Sequence, residues 1–267
     1  MQEALYLFCL GRSEPLLALT SAELEGDVIP LRLEIEPEIG AMVNLVDADW
    51  FTSAEAEQRM ADPAWLMPRL ESHHRIIERV WRHTPVLPVP FGTLFSGPQS
   101  LGRLIHAHRN AITRFLDQVT GREEWAVKVW SDLSVSENVL FETESAVHLP
   151  EWENMPPGRR YLQEQRLRGE VKRMLPQRLK DRCTKIAESL KVFADDWRER
   201  PKLPDESQQQ RMLGNWALLI PSESTDKLTG RLDALNATWC PQGLRLEWSG
   251  PWPPYSFSPS LDEAENE

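Results

Sequence analysis

Cysteine is scarce in this sequence, and no cysteine has a neighbour at a spacing used by metal sites or redox centres. The three cysteines in 267 residues are Cys9, Cys183 and Cys240, and no two of them form a C-x-x-C pair. An odd number of widely separated cysteines excludes a disulfide framework and a zinc knuckle as organising features. We therefore expect reduced thiols that pack as small apolar side chains.

Long apolar runs are also missing. The sequence has no uninterrupted apolar stretch of about 18 residues, which is the length that a membrane-spanning helix needs. The apolar segment Ala4–Leu10 has no basic residues before it and no small-residue cleavage site after it, so it is not typical of a signal peptide. These features predict a cytoplasmic protein that does not bind or cross a membrane.

The motifs that support common enzyme mechanisms are absent as well. No Gly-x-Ser-x-Gly elbow, no phosphate-binding loop ending in Gly-Lys-Ser/Thr and no Gly-x-Gly-x-x-Gly fingerprint occurs. His74 and His108 lie on the apolar stripes of predicted helices, where a packed imidazole is commoner than a metal ligand. We predict no catalytic, cofactor-binding or metal-binding residues, and a metal site at these histidines is the alternative interpretation.

The net charge of -11 is unevenly distributed. Residues 1–60 contain three arginines and twelve acidic residues, whereas residues 158–200 contain thirteen basic and seven acidic residues. The acids within the basic stretch recur at helical spacing, and the whole chain is acidic, so nucleic acid is excluded as a partner. The two oppositely charged parts could attract each other or two different partners.

In the first half, short β-rich segments precede two helical patterns, and one strand follows them. Strands are predicted at Glu3–Leu10, 31–35 and Ile39–Val46, and after the helices at Trp125–Trp130. Asp62 and Pro63 predict the start of a helix that ends near His83, and a second helix is predicted from Pro98 to a cap at Gly121. The prolines between residues 85 and 90 predict an extended edge segment or a tight loop rather than a central strand.

In the second half, residues 131–157 lack periodicity and are predicted to form a loop or insertion. A long helix is predicted over residues 158–200, because apolar residues from Leu167 to Trp197 recur every three or four positions, and Pro176 is expected to kink or split it. Further predicted elements are a strand at Asn215–Ile220, a helix at Thr225–Asn236 and a strand at Gly243–Trp248. The acidic residues 259–267 are predicted to be disordered.

This order of elements predicts an α+β protein with two sandwich domains and mostly antiparallel sheets. The predicted domains are residues 1–121 and residues 122–258, the second including the long helix 158–200. One alternative is an enzyme built on such a scaffold, because a fold alone does not dictate function.

Several blocks of sequence resemble the F/L family of gas vesicle proteins. The matching blocks are His74–Glu78, Val86–Phe95, Glu124–Val129, Gly158–Leu162 and Leu244–Phe257. The last block is the most specific, and the resemblance extends from residue 5 to residue 257.

The resemblance implies a protein of the gas vesicle and the cytoplasm with two domains related to the ferredoxin-like fold. It also implies that the protein binds the small hydrophobic wall protein, takes part in early vesicle assembly together with other accessory proteins, and has neither cofactor nor enzymatic activity. A minor structural component on the inner face of the vesicle shell is the alternative within the same family.

The Pro-rich segment from Pro251 to Phe257 contains the best candidate residues for partner binding. Its prolines favour a stiff, extended conformation that would present Trp252, Tyr255 and Phe257 at little entropic cost. Phe91, in an earlier matching block, is a further candidate. The alternative interpretation, which we favour, is a strap whose aromatic side chains pack back onto the fold.

Overall fold

The computed structural model describes residues 3–20, 22–24, 30–148, 155–204 and 209–261. The chain divides into two compact units, one formed by Met1–Glu124 with Pro251–Glu267 and the other by Trp125–Gly250. Residues 251–258, which the sequence assigns to the second domain, therefore belong with the first unit. Of the predicted disordered tail, residues 262–267 lie outside the described residues.

The first unit contains a five-stranded sheet. Its strands are β1 (Glu3–Arg12), β2 (Leu31–Glu36), β3 (Ile39–Asp47), β4 (Val86–Pro88) and β5 (Leu94–Phe95). The order is β2-β3-β1-β4, β5 also pairs with β1, and these pairings are antiparallel. Strand β4 is only three residues long and lies at an edge of the sheet, which confirms the prediction for the proline-rich segment.

The helices of the first unit are α1 (Ser13–Ala18), α2 (Asp49–Thr52), α3 (Ala56–Ala61), α4 (Pro63–Trp81) and α5 (Pro98–Val119). The start of α4 is as predicted, because the Asp62 carboxylate accepts a hydrogen bond of 3.0 Å from the Ala64 amide. Ile76, Ile77 and Val80 of α4 pack against Tyr6 and Phe8 of β1 to form a core. Helix α5 ends just before Gly121, whose φ of +69° turns the chain into the next strand.

The second unit contains a four-stranded sheet of order β7-β8-β6-β9. The strands are β6 (Arg122–Asp132), β7 (Asp196–Glu199), β8 (Gln210–Pro221) and β9 (Leu244–Trp252), and the helices are α6 (Leu133–His148), α7 (Pro157–Lys191) and α8 (Thr225–Trp239). Alternate residues of β6, β8 and β9 face the apolar stripes of α7 and α8 and form one core. Strands β7 and β8 pair in antiparallel register. The predicted α+β class with mostly antiparallel sheets is confirmed, whereas the ferredoxin-like relationship stays a prediction.

Helix α6 corrects the prediction of a loop over residues 131–157. Its inward side carries Leu140 and Phe141 but also the polar residues Ser136 and Glu144, so the apolar stripe is interrupted. Glu144 pairs with Arg178 of α7 at 3.5 Å, which shows that part of the inward face is held by charge rather than by apolar contact. The Asp132 carboxylate caps the helix by accepting from the Val135 amide at 3.0 Å.

The prediction of one helix over 158–200 is wrong at its C-terminal end. Helix α7 ends at Lys191, and residues 196–199 form the edge strand β7. Phe193 in the turn after α7 and Trp197 in β7 both pack against the core, so apolar residues continue at helical spacing beyond the end of the helix. Pro176 does not split α7, which is continuous from Pro157 to Lys191.

Candidate functional site

An aromatic groove of about 450 Å³ lies in the first unit. Strand β1 supplies Tyr6 and Phe8, which share a face of the sheet because they are two residues apart. Helix α2 adds Trp50 and Phe51, and Phe91 comes from the turn after β4. Gly92 follows with a φ of +85°, a value that few side chains tolerate, and this turns the chain at the groove wall. We call this surface the aromatic groove.

The rings of the groove pack against one another and are therefore held in fixed positions. The ring centroids of Tyr6 and Phe51 are 5.6 Å apart, those of Tyr6 and Phe91 are 5.9 Å apart, and those of Phe51 and Phe91 are 5.8 Å apart. Tilted and edge-on rings at these separations are favourable arrangements. The groove consequently presents a rigid apolar surface.

A buried hydrogen-bond network forms the floor of the groove. The Gly92 amide donates to Tyr6 Oη at 3.2 Å, Tyr6 Oη lies 2.8 Å from His73 Nδ1, and His73 Nε2 lies 3.1 Å from the Val89 carbonyl. Because a carbonyl can only accept, Nε2 carries the proton and Nδ1 accepts from the Tyr6 hydroxyl. Burial lowers the His73 pKa to about 4, so the imidazole is neutral at pH 7.

The rim of the groove combines exposed apolar side chains with one well-placed cation. Leu45 is 51% exposed and Trp50 is 48% exposed. The Arg69 guanidinium carbon lies 4.2 Å from the centroid of the Trp65 ring and 5.3 Å from that of Trp50. These cation–π contacts restrain both indole rings at the edge of the groove.

The groove has the chemistry of a binding surface for apolar groups. Tyr6 and His73, the titratable residues on its floor, are bonded to each other and to the backbone, and burial raises the pKa of Tyr6 above its ordinary value. Within the described residues, no three His, Cys, Asp or Glu side chains are grouped so that they could hold a metal ion. Searched over the same part of the chain, no helix is both long and apolar enough to cross a membrane.

The Pro-rich C-terminal segment packs onto the first unit. The buried Glu124 carboxylate accepts from the Ser256 amide and from Ser256 Oγ, both at 2.8 Å. The Tyr255 hydroxyl lies 2.8 Å from His74 Nδ1, and the ring centroid of Trp252 lies 5.5 Å from that of His74. Phe257 is buried. This arrangement matches the strap interpretation, and direct partner contacts by Trp252, Tyr255 and Phe257 stay a prediction.

The sequence interpretation found one residue of the groove and missed the others. Phe91 lines the groove, but Trp252, Tyr255 and Phe257 do not line it. Among the histidines, His73 rather than His74 faces the core, in phase with Ile77 and Val80 on α4. The helical spacing of His73 with Ile77 and Val80, and the alternation of Tyr6 and Phe8 along β1, are the sequence patterns from which these groove residues could have been predicted.

Comparison with known families identifies the chain. A family model described as "Gas vesicle synthesis protein GvpL/GvpF" matches residues 4–259, nearly the whole sequence. The chain belongs to the GvpL/GvpF family. Membership connects it with gas vesicle formation and confirms the resemblance seen in the sequence blocks.

Several proteins similar to this chain carry gas vesicle names. The chain is 28% identical over 244 residues to gas vesicle protein L of Streptomyces sp. (strain CB03234), covering 88% of this chain and 85% of that protein. It is 22% identical over 231 residues to gas vesicle protein F1 of Halobacterium salinarum, covering 85% and 86%. The crystal structure of GvpF from Anabaena sp. PCC7120 superposes with a TM-score of 0.68 at 16% identity and covers 99% of this chain and 100% of that one. The structural likeness shows a GvpF-like α+β fold.

Proposed function

We propose that this GvpL/GvpF protein binds the hydrophobic gas vesicle wall protein during vesicle assembly, and that the aromatic groove is the binding surface. The observation that carries the proposal is the exposure of Leu45 and Trp50 beside a rigid set of packed rings. Wall subunits with a large apolar face aggregate if they are released unpaired into water, so assembly needs a protein that covers that face.

The groove is suited to holding an apolar segment without a large ordering cost. Its rings are fixed by mutual packing and Trp50 is restrained by Arg69, so few side chains lose rotational freedom on binding. Covering a half-exposed leucine contributes about 1 kcal/mol, which allows a moderate affinity. A moderate affinity permits the wall protein to be passed on to the growing shell.

The proposal assigns different roles to the four candidate residues predicted from the sequence. Phe91 contacts the wall protein directly as part of the groove wall. Tyr255 and Phe257 keep the first unit folded through the strap, and Trp252 packs beside His74. No catalytic step is proposed, and the protein acts in the cytoplasm and at the vesicle together with other gas vesicle accessory proteins.

Capture of co-expressed wall protein tests this proposal. The double substitution Leu45→Gln and Trp50→Gln removes the exposed apolar rim and is expected to lower the amount of co-purified wall protein about fivefold or more. Both side chains are about half exposed, so the fold should be retained and circular dichroism should be unchanged.

The matched control is the double substitution Tyr161→Gln and Leu162→Gln on α7, because these residues are 61% and 69% exposed but do not line the groove. The control should capture as much wall protein as the unchanged protein. Equal capture by both double variants would contradict the assignment of the groove.

Washing intact vesicles distinguishes the two roles within the family. Retention of the protein after washing favours the minor shell component, whereas its loss favours a transient assembly factor.

A further inference from the structure

A second cleft, of about 480 Å³, lies in the second unit and has a different character. The C-terminal half of α7 forms one wall, and described residues of 199–202 and 211–216 form the other. Leu179, Met212 and Trp216 supply a buried apolar floor. The volume lies within the range of about 300–1,000 Å³ that is typical of ligand sites. We call this surface the basic cleft.

Cations dominate the walls of the basic cleft, although the whole chain carries a net charge of -11. Among the described lining residues, two acids, Glu188 and Glu199, accompany five basic residues, which are Lys180, Lys191, Arg200, Lys202 and Arg211. Lys180, Lys202 and Arg211 are exposed and form no ion pair with a described residue. The Leu203 amide donates to Met212 Sδ at 3.3 Å, which holds Lys202 close to the start of β8. The cleft therefore attracts negative charge.

A buried acceptor without a partner also lines the cleft. Asn215 is only 7% exposed, and its Nδ2 donates to the Pro201 carbonyl at 2.6 Å. Its Oδ1 is buried and has no hydrogen-bond partner in the described protein. A buried acceptor left in this state is costly, so a small shift of the cleft wall that brings it to an N–H group of a ligand gains a hydrogen bond without displacing a protein partner.

The spacing of the cations indicates an extended ligand rather than a compact anion. Lys180 and Lys191 are eleven residues apart on one helix, which corresponds to about 16 Å along the axis. About five residues of extended polypeptide cover that distance. A single phosphate cannot reach both ends of this span.

We propose that the basic cleft binds an extended acidic peptide segment of a partner protein. Alternate side chains of such a segment point in opposite directions, so carboxylates can meet the cations while apolar side chains cover Leu179, Met212 and Trp216. A backbone N–H of the segment donates to Asn215 Oδ1. This site is separate from the aromatic groove, and its occupant is recognised by charge and backbone rather than by apolar surface alone.

Fluorescence anisotropy with a labelled peptide of about ten residues that alternates glutamate and leucine tests the proposal on the full-length protein. We expect saturable binding that weakens as sodium chloride is raised, and no binding of the matching glutamine–leucine peptide. The substitutions Lys202→Glu and Arg211→Glu should raise the Kd about tenfold or more. Both side chains are exposed, so these changes should leave the fold intact.

The control substitutions are Lys227→Glu and Arg231→Glu on α8, which change the net charge equally but lie outside the cleft. They should leave the Kd within about twofold of the value for the unchanged protein.

A separate variant, Asn215→Leu, tests the hydrogen bond. It should weaken binding of the acidic peptide with no change in the salt dependence of binding. Equal loss of binding in both charge-reversal variants, or stronger binding of inorganic tripolyphosphate or oligothymidylate than of the peptide, would overturn the proposal.

Discussion

Replacement of Gly243 by alanine is expected to destabilise the second unit by about 3 kcal/mol and to lower its melting temperature by about 10 °C. Gly243 has a φ of +82°, which L-residues rarely adopt. An added Cβ would lie 2.5 Å from Ser136 Oγ and 2.8 Å from the Ser136 amide nitrogen, and the amide cannot move without disturbing α6. Backbone strain and overpacking therefore both lower the stability of the variant.

Thermal unfolding followed by circular dichroism measures this effect, with Gly230→Ala as the matched control. Gly230 lies in α8, and an added Cβ there meets nothing within 4 Å. Because alanine favours a helix over glycine by about 1 kcal/mol, the control should raise the melting temperature slightly. If the melting temperature of Gly243→Ala equals or exceeds that of Gly230→Ala, the turn before β9 is not constrained as described.

The second large effect is a pH dependence of stability that originates at His73. The unfolded chain takes up a proton at the ordinary histidine pKa of 6.5, whereas the folded chain holds His73 neutral down to about 4 because burial penalises the charged form. The unfolded state therefore binds more protons between these values, and the free energy of unfolding falls as the pH falls from 6.5 to 4. The difference amounts to about 3 kcal/mol, and it levels off below pH 4.

Urea unfolding at a series of pH values tests this dependence. The substitution His73→Gln keeps an acceptor for Tyr6 and a donor for Val89 but removes the titrating group, so its stability should fall less steeply across this pH range. The unchanged protein, measured in parallel with all six histidines in place, is the reference. Identical pH profiles for His73→Gln and the unchanged protein would contradict the buried neutral imidazole.

Elements whose buried face is mostly apolar were predictable from the sequence. Strands β1 and β3 and helices α4, α5 and α8 follow simple periodic patterns, and their caps at Asp62 and Gly121 are local signals. Helix α6 was not predictable in this way, because Ser136 and Glu144 interrupt its inward face and are satisfied by tertiary partners. Strand β7 was predicted as helix because Phe193 and Trp197 continue the helical spacing of apolar residues, although the chain leaves the helix after Lys191.

The candidate site was only partly predictable for a related reason. Phe91 was identified through the family resemblance, but Tyr6, Phe51 and His73 come together from distant parts of the chain through the pairing of β1 and the packing of α4. The strap similarly depends on a contact between Glu124 and Ser256, which are 132 residues apart. Such contacts follow from topology, and local sequence patterns do not encode them.

Site-specific photocrosslinking to the wall protein tests the aromatic groove most directly. A photoreactive phenylalanine analogue placed at Leu45, on the groove rim, should crosslink to co-expressed wall protein, whereas the same analogue at Leu162 should not. Both positions are exposed, so any difference between them reports the location of the bound wall protein and not access to the probe. Crosslinking from position 162 and none from position 45, with capture of the wall protein intact, would contradict the groove as the binding surface.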